Sequence, residues 1–114
     1  MARNPEHRDL FPGALEVMIL QSLRRQPMHG YALVKHIKQL SDNLLPVEEG
    51  SLYPALQRML LKGWITGEWG RTRENRRARY YSLTAEGREQ LARELDRYRR
   101  VSRAIESILQ PGSP

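Results

Sequence analysis

At Gly63 the hydrophobic period of this chain changes, and few folds accommodate what stands on either side. In "EEGSLYPALQRMLLKG" the residues Leu52, Leu56, Met59 and Leu60 recur at helical spacing. The runs "WITGEW" and "ARYYSL" that follow alternate in the manner of short strands. Between those strands lies "GRTRENRR", a loop made largely of arginine. The chain must therefore set a helix directly against a β-hairpin and hold concentrated positive charge at the hairpin's tip.

Two amphipathic segments precede this helix. From Gly13, "GALEVMILQSLRRQ" puts Leu15, Met18, Ile19 and Leu23 on one stripe, with Ala14, Val17 and Leu20 on a second side, so this helix needs two burial partners. Gln26-Pro27 ends it, because proline lacks the amide donor and disfavours helix in the residue before it. "MHGYALVKHIKQLS" places Leu33, Val34, Ile37 and Leu40 on one face and stops at the turn-forming Ser41-Asp42-Asn43. In the third helix Ser51 is expected as N-cap, Pro54 in the first turn and Gly63 as a left-handed C-terminal cap. Its opposite side carries Gly50, Pro54, Gln57, Arg58 and Leu61, with Tyr53 on the flank. Tyr81 and Leu83 are expected in the core with Tyr80 facing out. Trp64 and Trp69 are expected to pack between the hairpin and the helices.

The last segment opens with Thr84 as N-cap and Glu86 in the first turn. Its positions Leu91, Leu95, Tyr98, Ser102, Ile105 and Leu109 follow a 4-3-4-3-4 spacing, a heptad seam. A monomer would leave such a stripe exposed, which soluble monomers seldom do, so pairing with a second copy is expected. The organisation reads as a polar arm over 1–12, a helix-and-hairpin unit over 13–84, a closing helix over 85–110 and a tail over 111–114.

Three helices, a hairpin and a closing helix make a mainly α chain with a small β-hairpin: a winged helix-turn-helix plus a long C-terminal dimerisation helix. In that arrangement the third helix enters the DNA major groove and the hairpin reaches the backbone or minor groove. Charge points the same way. The net charge is +6, and sixteen of the nineteen basic residues are arginine, the side chain whose fork suits phosphate and guanine. Arg71, Arg73, Arg76, Arg77 and Arg79 cluster at the hairpin tip against Glu74 alone, which suits phosphate neutralisation with counterion release. Gln57 is the best candidate for a base-edge contact.

Other chemistries are poorly served. The chain has no cysteine, so disulfides, thiolate metal sites and a cysteine nucleophile are excluded. His29 and His36 are without a third ligand, and His29 with Ser51 has no acidic orienter. "GEWGRTRE" has no phosphate-loop spacing. No cofactor, metal or catalysis is expected. No apolar run reaches the length of a bilayer span and the N-terminus is unlike a signal peptide, so a cytoplasmic protein without a membrane partner is expected.

The segments "PMHGYALVKHI", "EEGSLYPALQRMLLKGWI", "EWG" and "NRRARYYSLTAEGREQL" closely resemble the PadR family of bacterial transcriptional regulators, over nearly everything from Gly13 to about Leu109. The resemblance implies a dimeric winged-helix protein of the short form, binding double-stranded DNA, in a family composed mostly of repressors released by small molecules. It places the recognition helix over Ser51 through Lys62, with Ser51, Tyr53, Pro54, Gln57, Arg58 and Lys62 as candidate contacts, and the wing over Arg71 through Arg79. It also implies an aromatic on the last helix, here Tyr98, holding a planar aromatic effector between subunits. The rival reading is an architectural or protein-interaction winged helix that binds nucleic acid without sequence choice.

Overall fold

The structure is a computed structural model that describes residues 13–45 and 47–112. The arm over 1–12 and the last two residues of the tail lie outside the described residues. The order is α1 (Ala14–Arg25), β1 (Met28–His29), α2 (Gly30–Leu40), α3 (Glu49–Leu61), β2 (Ile65–Arg71), β3 (Arg77–Leu83) and α4 (Ala85–Leu109).

The two apolar sides of α1 find two partners: α4 on one, and α2, α3 and β3 on the other. Ile19, Leu20 and Leu23 are buried with Leu33, Leu52, Ala55, Leu56, Met59, Ile65, Tyr81 and Leu91 in one cluster. Each fully buried leucine or isoleucine there stabilises by about 1.5–3 kcal/mol. Ser22, buried in α1, is satisfied by donating from Oγ to the Met18 carbonyl at 2.7 Å. The chain leaves α1 through Gln26 in an extended conformation, as the following proline requires. Asp42 and Asn43 take the left-handed turn that ends α2 (φ 52° and 65°).

The sheet differs from the expected two-stranded hairpin. Its order is β1-β3-β2, antiparallel throughout, with Met28 opposite Tyr81 and His29 opposite Tyr80. A two-residue strand is too short to show a period of its own. It forms because the extended backbone that Pro27 imposes runs along the free edge of β3, where Met28 is buried.

The start of α3 is also corrected. The helix begins at Glu49, two residues before the expected cap, and Glu48 at the N-cap makes no side-chain capping bond. Ser51 lies in the first turn, its amide donating to the Glu48 carbonyl at 3.0 Å. Pro54 is therefore one turn further in than expected, and its missing amide leaves the Gly50 carbonyl without its helical partner. Gly50 is exposed and nothing stands within 4 Å of its Cβ position, so water can take that carbonyl.

The other end of α3 closes as expected. Gly63 is left-handed (φ 78°), the Gly63 amide donates to Leu60 and the Trp64 amide to Met59, both at 3.1 Å. Thr84 then ties this end to the next helix. Its Oγ1 donates to the Gly63 carbonyl at 2.6 Å and accepts from the Gly87 amide at 3.0 Å, while its own amide donates to the Trp64 carbonyl at 3.0 Å. Gly87 has to lack a Cβ, which would strike the Trp64 carbonyl and the Leu83 side chain.

Thr84→Val removes both hydroxyl bonds at constant shape and is expected to destabilise the fold by about 1–2 kcal/mol. Denaturant unfolding followed by circular dichroism measures it; an unchanged midpoint would show that the junction is held by packing alone.

Candidate nucleic-acid interface

Helix α3 turns Leu52, Ala55, Leu56 and Met59 into the core. What remains outside is the face anticipated for DNA: Ser51, Tyr53, Pro54, Gln57, Arg58 and Lys62 are all exposed. They are not equally available. Arg58 reaches back to α1, its guanidinium 3.5 Å from the Glu16 carboxylate, an exposed pair of the kind worth about 0–1 kcal/mol. Lys62 lies over the Trp64 ring at 4.7 Å. Gln57 has no such tether and shares its side of the helix with Pro54 and Leu61, which is 79% exposed.

Tyr53 is seated differently. Although the residue is 45% exposed, its hydroxyl end lies over Gly30, where a Cβ would overlap the ring. Burial, with smaller contributions from the Glu49 carboxylate and Tyr81, pushes its phenol above the ordinary range. The hydroxyl stays protonated and can donate to an anion.

The wing is a tight turn. Thr72 and Arg76 bond through amide and carbonyl at 2.9 Å, the Thr72 hydroxyl accepts from the Arg76 amide at 3.2 Å, and Asn75 supplies the left-handed residue (φ 63°). Arg71 supports this turn by donating to the Asn75 carbonyl at 3.1 Å. Arg73, Arg76 and Arg77 are exposed, and Arg79 is half-buried across Gly67. The Arg79 Nε is buried without a hydrogen-bond partner among the described residues.

Trp69 corrects an expectation. It is 62% exposed on β2 rather than packed against the helices, and the Arg77 guanidinium lies 4.4 Å from its ring centre. It stands opposite Arg79 in the register, on the sheet face that carries Ile65 and Tyr81 but nearer the wing tip. Tyr81 is buried as expected. Tyr80 is half-buried, its ring edge against His29 and its hydroxyl donating to the Arg71 carbonyl at 3.2 Å.

Between α2 and the wing runs a trough that sequence reasoning missed. His29, Tyr31 and Lys35 line it from the side of α2, and Trp69, Arg77 and Tyr80 from β2 and β3. His29 also caps α2, its Nδ1 accepting from the Ala32 amide at 3.2 Å. A signal was available in "HGYALVK", where a polar aromatic and a lysine stand one turn apart on the side opposite Leu33 and Ile37.

The seam on α4 divides. Leu91 is 3% exposed and belongs to the chain's own core, and Leu95 packs against that core. Leu91 is thus no part of an exposed stripe, because the first half of α4 is the cover that α1 needs. Further along, Tyr98 (40%), Ile105 (47%) and Leu109 (66%) are exposed and Ser102 is half-buried, with Ile108 at 82% added to the expected set.

A profile of the transcriptional regulator PadR-like family matches residues 19–93. The chain belongs to this family. As a PadR-family protein it is a DNA-binding transcriptional regulator, not an enzyme. Solved structures agree. A transcriptional regulator from Clostridium thermocellum superimposes with a TM-score of 0.81 at 25% identity, over 90% of this chain and 99% of that one. A PadR-like regulator from Bacillus cereus gives 0.75 at 30% identity, over 87% and 94%. A 37.1 kDa protein in a Streptomyces fradiae transposon is 38% identical over 95 residues, which span 82% of this chain and 26% of that protein. No helix among the described residues is long and apolar enough to cross a membrane.

If α3 reads base edges while the wing contacts phosphates, their contributions should separate. Arg76→Ala with Arg77→Ala is expected to weaken binding to all duplexes alike and to flatten the salt dependence by about 0.9 for each phosphate no longer neutralised. Gln57→Ala is expected to change preference among sequences by about 1–3 kcal/mol. Competition between a selected site and random DNA measures both; equal losses on the two in Gln57→Ala would remove that residue from base readout.

Proposed function

We propose that this PadR-family chain is a ligand-responsive repressor that binds a two-fold symmetric operator as a homodimer. The observation that carries the dimer is the distal half of α4. Ile105, Ile108 and Leu109 extend beyond the core with 47%, 82% and 66% of their surfaces exposed, on a helix whose first half is already packed on α1. A second copy laid against this half covers those side chains. It also presents two α3 helices to half-sites about one DNA turn, roughly 34 Å, apart.

The reading as a repressor is supported by simple exclusion: a dimer with two reading helices and two basic wings would occupy DNA that a polymerase needs. The distal seam also supplies a place for a signal. Tyr98 is 40% exposed and stands one turn before the half-buried Ser102, with Ala104 beyond it. A phenol beside small residues offers a planar compound a stacking face and one hydrogen bond. A ligand bound between subunits changes operator affinity only by preferring one subunit arrangement over another.

Sedimentation equilibrium at micromolar concentration tests the dimer. The expected species is twice 13.3 kDa, and Ile108→Asp with Leu109→Asp, both exposed in the single chain, should return it to 13.3 kDa without lowering helix content. A wild-type monomer would contradict the reading. In the same preparation a planar aromatic effector should shift DNA affinity in the wild type and lose that effect in a still-dimeric Tyr98→Ala.

A further inference from the structure

The three-stranded sheet ends in two unlike edges. One is β1, only two residues long, and shortness is itself a way of blunting an edge. The other is β2, seven residues long, which pairs with β3 alone. A long edge strand is usually protected by a proline, a bulge or a covering element. β2 contains no proline, and its pairs with β3 run without a break in register from Ile65–Leu83 to Arg71–Arg77. Thr66, Glu68, Trp69 and Arg71 along it are exposed.

The bonds at the two ends of the hairpin fix which backbone groups face outward. The Thr84 amide donates to the Trp64 carbonyl at 3.0 Å, and the Thr72 amide to the Arg76 carbonyl at 2.9 Å. Bonded and non-bonded pairs alternate along an antiparallel ladder, so both ends give the same phase. Thr66, Glu68 and Gly70 bond to β3, and the amides and carbonyls of Ile65, Gly67, Trp69 and Arg71 point away from it. Ile65 is buried, and the Arg71 carbonyl already accepts from the Tyr80 hydroxyl at 3.2 Å. Gly67 and Trp69 are left with two donors and two acceptors on the open edge, without partners among the described residues.

Charge selects what fits there. Gly67 and Trp69 share a sheet face with their partners Tyr81 and Arg79. Because Gly67 has no side chain, the Arg79 guanidinium lies across it, 5.9 Å from the Tyr81 ring centre, and so reaches toward the open edge. The Arg77 guanidinium stands 4.4 Å from the Trp69 ring centre on the same face. Neither arginine is in an ion pair among the described residues. We propose that the β2 edge accepts an extended acidic segment of a partner protein, added to the sheet as an antiparallel strand. The segment's main chain bonds to Gly67 and Trp69, and its carboxylates opposite those two residues meet Arg79 and Arg77. Glu68 lies on the reverse face, where the alternate positions of the segment have to be neutral or basic. This surface serves a protein and calls on neither DNA nor a second copy of the chain.

The probe is a fluorescein-labelled peptide of alternating threonine and glutamate, roughly ten residues long, the length of a long strand. Fluorescence anisotropy is read at about 0.15 M salt, where attraction beyond about 8 Å is screened. Antiparallel addition turns the glutamate amides toward β2 and the threonine amides away from it. The peptide should bind the wild-type chain. N-methylation of its central glutamates should abolish binding, and N-methylation of its central threonines should leave binding unchanged. The Gly67 and Trp69 amides should exchange with solvent more slowly once the peptide is bound. Arg79→Gln should weaken binding about tenfold through loss of a charge-assisted pair. Failure of the wild type to bind, or any other response to the two methylated peptides, overturns the proposal, and these measurements use unaltered protein. Binding that survives both methylations would show a peptide held by charge alone. Unchanged affinity in a folded Arg79→Gln overturns the acidic partner.

Discussion

The Thr84 hydroxyl donates to the Gly63 carbonyl at 2.6 Å and accepts from the Gly87 amide at 3.0 Å, and the relation between the two ends of the molecule depends on those bonds. Gly63 follows the last turn of α3, the proposed reading helix, and Gly87 lies in the first turn of α4. Between them the wing leaves and returns, so its base is closed by the same junction. The close approach of Gly87 to the Trp64 carbonyl admits no side chain. The orientation of α3 relative to α4 is therefore set by short-range geometry and not by a linker. If two chains pair through the distal half of α4, the distance between their reading helices is set at the same time.

Charge is sorted along this frame. On α4, Arg97 pairs with Glu94 at 3.0 Å and Arg100 with Asp96 at 3.2 Å, one turn apart on the same helix. Exposed pairs of this kind contribute little to stability, but they neutralise the helix surface locally. The wing and trough do the opposite, gathering five cations against one carboxylate. The net charge of +6 is thus concentrated where DNA is expected and cancelled elsewhere. Arg58 stands between the two regimes: a weak tether to Glu16 at 3.5 Å draws it back toward α1, at a strength that a phosphate or a guanine edge can exceed.

Much of this was legible in the sequence wherever an element was long enough to display a period. The helices around Leu20, Leu33 and Leu56, the hairpin, the Gly63 cap and the Thr84 cap all follow from local chemistry, since each depends on neighbours within about one turn. The misreadings share a non-local cause. Met28–His29 is a strand only because β3 offers an edge. Ser51 looked like a cap by residue type, yet Glu49 and Gly50 were already helical without one. Leu91 fits the heptad seam by spacing but is claimed by the chain's own core, and Trp69 looked like core but is 62% exposed, with the Arg77 guanidinium over its ring. The trough was invisible because residues 29–35 and 69–80 form it jointly.

In vitro selection from a random duplex library tests the coupling of α4 to α3 most directly. Enriched sequences should be two-fold symmetric, with half-sites whose centres are about one helical turn, roughly 34 Å, apart and a spacing that does not vary among the selected clones. Enrichment of single, unpaired half-sites, or of pairs at many different spacings, would contradict a rigid junction joining a dimer helix to a reading helix.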